Sequence, residues 1–489
     1  MGSRGICAAG HPLTADAGAD VLRAGGNAVD AAIAAMLTSW VAEPLLTGPG
    51  AGGYLLVAGA GVEPVLLDFF VEAPSGDAAH RGELVAVDVD FGDATQIFHF
   101  GAASCGVYGN PAGIVAASER WGSRPLAELA APAAEHARQG VPMNREQAYV
   151  FEILADMFGV DPTGAAEFGP KGLREGDVYR SPELAAAIER LGAEGAEPFY
   201  RGDIAERVVA FLTERGGSVT AQDLAGYAAI EREPIRASYR GREVLTNPPP
   251  NAGGVLIALA LALLDRTDGA PAIEEIVAVM EEVQALRTPE FVDGLGEPGF
   301  GERLLASRLG STTHISVVDA DGLACAVTCT NGEGCGIVVP GTGIHVNNIM
   351  GEEDLSPHGF HTAPPGRRMP SMMAPTAVLG AGGELELVLG SAGSNRIRSA
   401  ILQTIIGVVD HGLSAGDAVE APRAHFEAGT VYVEPGVPTE TLRAAGRTVV
   451  AFREPNLFFG GVQAVERSLK TGVLSGAGDP RRGGAVAVA

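Results

Sequence analysis

The chain has 489 residues, enough for a large core in one big α/β unit or two. Its formal charge of −26 argues against non-specific binding to nucleic acid or to an anionic membrane surface. The five cysteines, Cys7, Cys105, Cys325, Cys329 and Cys335, form no even framework and fit a reducing compartment.

The first residues show no apolar run with basic flanks, and the apolar stretch Val255 to Leu264 is too short to cross a membrane. A cytoplasmic protein is expected. Thr14 to Ala24 has helix composition and ends at Gly25-Gly26, a C-cap pair. Asn27 caps a second expected helix, Ala28 to Val41, closed before Pro44. The Gly-rich run Gly48 to Gly53 enters a strand, Tyr54 to Ala58. A phosphate loop does the reverse, leaving a strand to open a helix, so the run reads as a backbone packing device. Asp77 to Ala103 gives no clear pattern. Helical composition follows over Ala112 to Trp121, Pro125 to Gln139 and Glu146 to Met157, and Thr220 begins another helix. Strands are expected around Arg240-Gly241, then a helix from Val255 to Leu264 and an amphipathic one from Ile273 to Leu286.

Gly310 to Asn348 organises the chain. Two β-runs, Thr312 to Val318 and Leu323 to Thr330, flank the turn Asp319-Ala320-Asp321-Gly322. A three-residue loop, Ala320 to Gly322, sets Thr312 across the hairpin from Thr330; a slip of one residue would send the two side chains to opposite faces. Cys325, Cys329 and Cys335 match no zinc spacing and read as small buried apolar residues. The loop pair His358 and His361 lacks partners for a metal, and no cofactor is expected. Further on, the strand Glu386 to Leu389 runs through Gly390-Ser391-Ala392-Gly393-Ser394-Asn395 into the helix Ile397 to His411. That order presents backbone N–H groups at a helix N-terminus, the material of an oxyanion hole.

His11-Pro12-Leu13, Gly25 to Ala32, Pro248-Pro249-Pro250, Thr312-Thr313-His314, Ser316 to Asp319, Gly336-Ile337-Val338, Gly343-Ile344 with Asn347-Asn348, and Gly478 to Arg481 occur in this order. Together they resemble the γ-glutamyltransferase family of N-terminal-nucleophile hydrolases, over nearly the whole chain. The resemblance implies an α+β fold, a four-layer αββα sandwich. It also implies a proenzyme that cuts itself between Ser311 and Thr312. Residues 1–311 would form a large chain and residues 312–489 a small one, partners in a single unit. Thr312 would be the nucleophile and its freed α-amine the base. Thr330 matches the second threonine that bonds the nucleophile. Gly393 and Ser394 match the two oxyanion positions, with Ser394 standing where relatives have glycine.

The departures concern the substrate. The family holds a substrate α-carboxylate with an Arg in a D-x-R-E-x-A-P segment. Here that segment reads Asp68-Phe69-Phe70-Val71-Glu72-Ala73-Pro74, with Phe70 at the Arg position. Ser371-Met372 replaces a pair of serines, Glu352 is the nearest match to the acid that binds the α-amine, and Ile349 replaces a polar residue before it. Asn331 aligns with the active-site Asn only across a two-residue shortening. An apolar ring cannot replace a bidentate guanidinium. The expected activity is therefore hydrolysis of a non-glutamyl small molecule. One version is cleavage of a carbon–carbon bond next to a carbonyl, as in actinobacterial relatives that make antibiotics with alkylated proline units. The alternatives are a genuine γ-glutamyltransferase or glutathione hydrolase rescued by another Arg, such as Arg81 or Arg120, and a relative that never matures.

Overall fold

The computed structural model describes residues 4–90, 95–285, 312–356 and 358–489. Two antiparallel sheets stack face to face at its centre. The first has seven strands in the order Ala485–Val488, Gly5–Ala9, Thr313–Asp319, Leu323–Thr330, Gly52–Gly59, Val65–Phe69 and Ile230–Arg232. The second has six, in the order Leu474–Gly478, Gly461–Arg467, Leu385–Ala392, Thr376–Leu379, Arg242–Thr246 and Ile235–Tyr239. Helices Pro12–Arg23 and Ala28–Ala42 cover the first sheet, and Gly253–Leu264 and Arg396–Val409 the second, giving the αββα order of layers. No helix among the described residues is long and apolar enough to cross a membrane.

Strand alternation divides the core into two. Ile315, Val317, Cys325, Val327 and Cys329 face the first helical layer, while Val318, Ala324 and Ala326 face the opposite sheet. The helix Ala28–Ala42 is buried along its whole length, which its Ala-rich, nearly uncharged sequence permits. Asn27 starts it with a capping box, accepting from the Val29 and Asp30 amides. All five cysteines are buried and free.

The central hairpin has the register its turn implied. Thr313 pairs with Cys329 and Val318 with Ala324, leaving Ala320 to Gly322 as the loop, so one further step sets Thr312 opposite Thr330. Asp319 fastens the turn: its carboxylate accepts from the Asp321 and Leu323 amides and from Ala28 at the start of the buried helix. The Gly48 to Gly53 run packs backbone on backbone. A Cβ on Gly50 would stand 2.4 Å from the His345 carbonyl oxygen, and one on Gly53 2.5 Å from that of Thr328.

Some elements differ from expectation. Val85–Asp90 and Thr95–Phe100 pair as a hairpin in the stretch that gave no pattern. The helix expected over Glu146 to Met157 is α-helical only at Arg145–Ile153, then tightens to a 3₁₀ turn at Ala155–Gly159. That turn brings Phe158 onto Phe151 and Phe168 in one ring cluster. His358 is exposed and His361 half-buried.

Candidate active site

Thr312 stands at the start of its strand, 1% exposed. It lines a narrow pocket with Phe70, Thr330, Ile349, Glu352, Ser371, Met372, Met373 and Ile397. Six of the expected residues therefore come together from five stretches of chain: Thr312, Thr330, Phe70, Glu352, Ser371 and Met372. Ser311 lies outside the described residues.

Each wall has a local cause. Thr330 ends its strand with its hydroxyl oxygen accepting from the Gly332 amide at 2.8 Å, which fixes the turn away from the sheet. Phe70 directly follows the strand Val65–Phe69 and stacks on Tyr54, ring centroids 5.6 Å apart. Ser371 Oγ accepts from the Met373 amide at 3.1 Å and holds the Met372-Met373 pair in place. Ile349, which the sequence had marked as a departure, lines the pocket too, and Met373 and Ile397 extend the apolar wall beyond what the sequence had singled out. Each comes from a separate segment, and only the adjacency of Met372 and Met373 hinted at it.

The two oxyanion candidates sit where the strand Leu385–Ala392 turns into the helix Arg396–Val409. Gly393 has φ +109, and a Cβ there would stand 2.6 Å from Gly460 Cα, so only glycine fits. Ser394 keeps φ +66, a left-handed conformation that is unusual for a side-chain-bearing residue and is found at strained functional turns. Asn331 is fully buried next to Thr330 but is not among the residues lining the pocket; neither atom of its amide has a partner among the described residues.

No histidine is among the described residues that line the pocket. His314, two residues along the same strand, bonds Thr328 Oγ at 2.7 Å and Ser316 Oγ at 2.9 Å, and burial pushes its pKa down to about 3. It stays neutral and structural, its ring lying where a side chain on Gly390 would be. Among the described lining residues Glu352 is the sole ionisable side chain and none is an Arg. Arg81 donates to Ser218 Oγ at 2.9 Å and Arg120 pairs with Glu231 at 3.2 Å, so neither sequence candidate reaches the pocket. Behind Phe70 lies Arg368, which is occupied by Asp68 at 3.5 Å, Glu72 at 3.2 Å and the Phe70 carbonyl. No group of three or more metal-ligating side chains gathers among the described residues.

The sequence pattern of the family described as Gamma-glutamyltranspeptidase matches residues 14–304 and 300–489. The chain belongs to the gamma-glutamyltranspeptidase family. Within it, the chain is 32% identical over 522 residues to the Acylase ACY 1 proenzyme of Pseudomonas sp. (strain SE83), covering 97% of this chain and 92% of that one. It is 31% identical to the Glutathione hydrolase proenzyme of Escherichia coli (strain K12), covering 98% and 90%. Among solved structures, the cephalosporin acylase from Bacillus halodurans superposes with a TM-score of 0.84 at 28% identity, covering 99% of this chain and 96% of that one. This gamma-glutamyltranspeptidase-family chain is thus similar to acylases and to glutathione hydrolases alike.

Proposed function

We propose that the protein is a self-processing N-terminal-threonine hydrolase whose acyl pocket takes a non-glutamyl, largely apolar group. The observation that carries this reading is the composition of the pocket around Thr312: Phe70, Ile349, Met372, Met373 and Ile397, with no Arg among the described lining residues. A γ-glutamyl substrate brings an α-carboxylate, and leaving that charge without its guanidinium costs roughly 2–5 kcal/mol of recognition.

In this reading Thr312 Oγ attacks the Ser311 carbonyl carbon, the peptide nitrogen leaves with a proton, and water hydrolyses the resulting ester. The products are a large chain, residues 1–311, and a small chain, residues 312–489, which begins with a free amine. That amine, with a pKa near ~8, takes the proton from Thr312 Oγ as the hydroxyl attacks a substrate carbonyl. Gly393 and Ser394 offer their N–H groups to the developing oxyanion, and Thr330 orients the nucleophile. The leaving group takes the proton, and water releases the acyl group from Thr312. Glu352 supplies the one carboxyl in the described pocket wall, suited to a cationic part of the substrate. Similarity to an acylase proenzyme supports this reading. Cleavage of a carbon–carbon bond beside a carbonyl, in the biosynthesis of antibiotics with alkylproline units, uses the same attack where the departing carbon can hold the electron pair.

The test compares matured protein on a γ-glutamyl anilide and on an unsubstituted medium-chain acyl anilide. Faster turnover of the acyl anilide is expected. Faster turnover of the γ-glutamyl anilide overturns the reading in favour of an ordinary glutathione hydrolase. A single uncut chain on a denaturing gel overturns it in favour of a relative that never matures.

A further inference from the structure

The far side of the nucleophile strand carries a second buried arrangement. Glu43 ends the buried helix Ala28–Ala42 and is 1% exposed. Its Oε2 accepts from Thr313 Oγ1 at 2.7 Å, and its Oε1 from Thr14 Oγ1 at 3.2 Å. Thr313 is the residue after the nucleophile and points to the opposite face of the sheet, so the carboxyl holds the main chain on which Thr312 stands. On this side lies Arg482, also buried, whose Nη2 donates to the Leu457 carbonyl at 3.1 Å. That same Nη2 lies 3.3 Å from where a Cβ on Gly393 would stand, directly behind the oxyanion turn. Glu43 and Arg482 act on each other electrostatically.

We propose that Glu43 is a positioning residue for self-cleavage, gripping Thr313 more firmly when ionised and so aligning Thr312 Oγ on the Ser311 carbonyl. The proposal rests on the self-processing reading above. Ionisation turns a neutral hydrogen bond from Thr313 into a charge-assisted one, which is shorter and roughly twice as strong.

Burial raises the Glu43 pKa from 4.5 to about 7, with the Thr313 and Thr14 hydroxyls and Arg482 opposing the rise. The cysteine, arginine and histidine groups packed around it do not titrate near neutrality. Burial pushes Cys329, on the neighbouring strand, up to about 12, while Arg482 falls only to about 10 and stays cationic. Thr14 and Thr313 carry only hydroxyls. His314 and His11, on the adjoining segments, are pushed by burial to about 3 and about 4. Before the cut Thr312 has no free amine, so a near-neutral inflection in the rate of self-cleavage cannot come from the group that later acts as base.

The experiment follows self-cleavage of purified precursor from pH 5.5 to 8.5 by denaturing gel and by mass of the chain beginning at Thr312. Wild type should mature about fivefold or more faster at pH 8 than at pH 6, with an inflection near neutrality. Glu43→Gln, which keeps the shape and removes the titration, should lose that inflection. An unchanged inflection in Glu43→Gln overturns the proposal. If Glu43→Gln does not fold, Thr313→Val carries the test: maturation slowed about tenfold or more upholds it, and a wild-type rate overturns it. Failure of the wild-type protein to cut before Thr312 sinks the self-processing reading itself. Cutting with an unaltered profile in the variant sinks only the role of Glu43.

Discussion

Thr312 stands between two unlike walls. One is made of strand ends and a turn: Thr330 opposite it in the hairpin, and, in the proposed mechanism, the Gly393-Ser394 turn that follows a central strand of the other sheet and is not among the residues lining the pocket. The other wall is made of side chains carried just outside the sheets: Phe70 one residue past a strand, Glu352 between short 3₁₀ turns, and Ser371 to Met373 on the approach to Thr376–Leu379. The first wall depends on backbone register and conformation, which the whole sandwich enforces. The second depends on side chains that can change without moving a strand, as is usual where a rigid scaffold presents variable connections. This contrast fits the function proposed above, in which the attacking groups are kept and the substrate differs.

The contrast can be broken most completely at the nucleophile. Thr312→Ala should abolish both chain cleavage and turnover, read on a gel and by anilide hydrolysis, while the fold survives. Retained activity would remove Thr312 from the mechanism. The second wall is probed by Phe70→Arg, which puts back the guanidinium. Turnover of the apolar acyl anilide should fall about tenfold or more and γ-glutamyl turnover should rise, because a recovered charge-assisted pair is worth a few kcal/mol. Maturation should persist, since the first wall is untouched; loss of maturation would show that the walls are not separable.

A smaller effect concerns stability. The folded protein holds the Glu43 proton more tightly than the unfolded chain, with a pKa of about 7 against 4.5. Its contribution to stability is therefore full below the unfolded pKa and is lost as pH rises through the folded one. The loss between about pH 5 and 8 is worth about 3 kcal/mol. Urea midpoints of wild type and Glu43→Gln should diverge across that range, with wild type losing ground as pH rises. Smallest is Ser394→Gly. Relief of the φ +66 conformation should change stability by no more than about 1 kcal/mol, in the favourable direction, with cleavage intact.

The parts legible from sequence were those with local causes. The Asp319 to Gly322 turn fixed the hairpin register, and with it the facing threonines. Asn27 and Thr220 marked helix starts, and both form capping boxes. The strand–turn–helix order around Gly393 held. What escaped notice depends on distant parts of the chain. Helices Pro182–Glu194 and Asp203–Thr213 lie in a stretch where no element was expected. The walls at Met373 and Ile397 come from segments that look ordinary one at a time. Glu43 reads as a charge at a helix end, and only the pairing of the helix with Thr313 shows that it is buried.

The order of strands in the first sheet has a mechanical consequence. Gly5–Ala9 hydrogen-bonds on one side to Ala485–Val488 and on the other to Thr313–Asp319. Leu323–Thr330 likewise joins Thr313–Asp319 to Gly52–Gly59. Strands from before and after the Ser311–Thr312 bond are interleaved like fingers of two hands. Severing that bond frees an end without freeing a piece, because neither fragment can withdraw without tearing ladders on both its flanks. The matured pair should melt in one cooperative step whose midpoint falls on dilution, because unfolding then releases two chains at once.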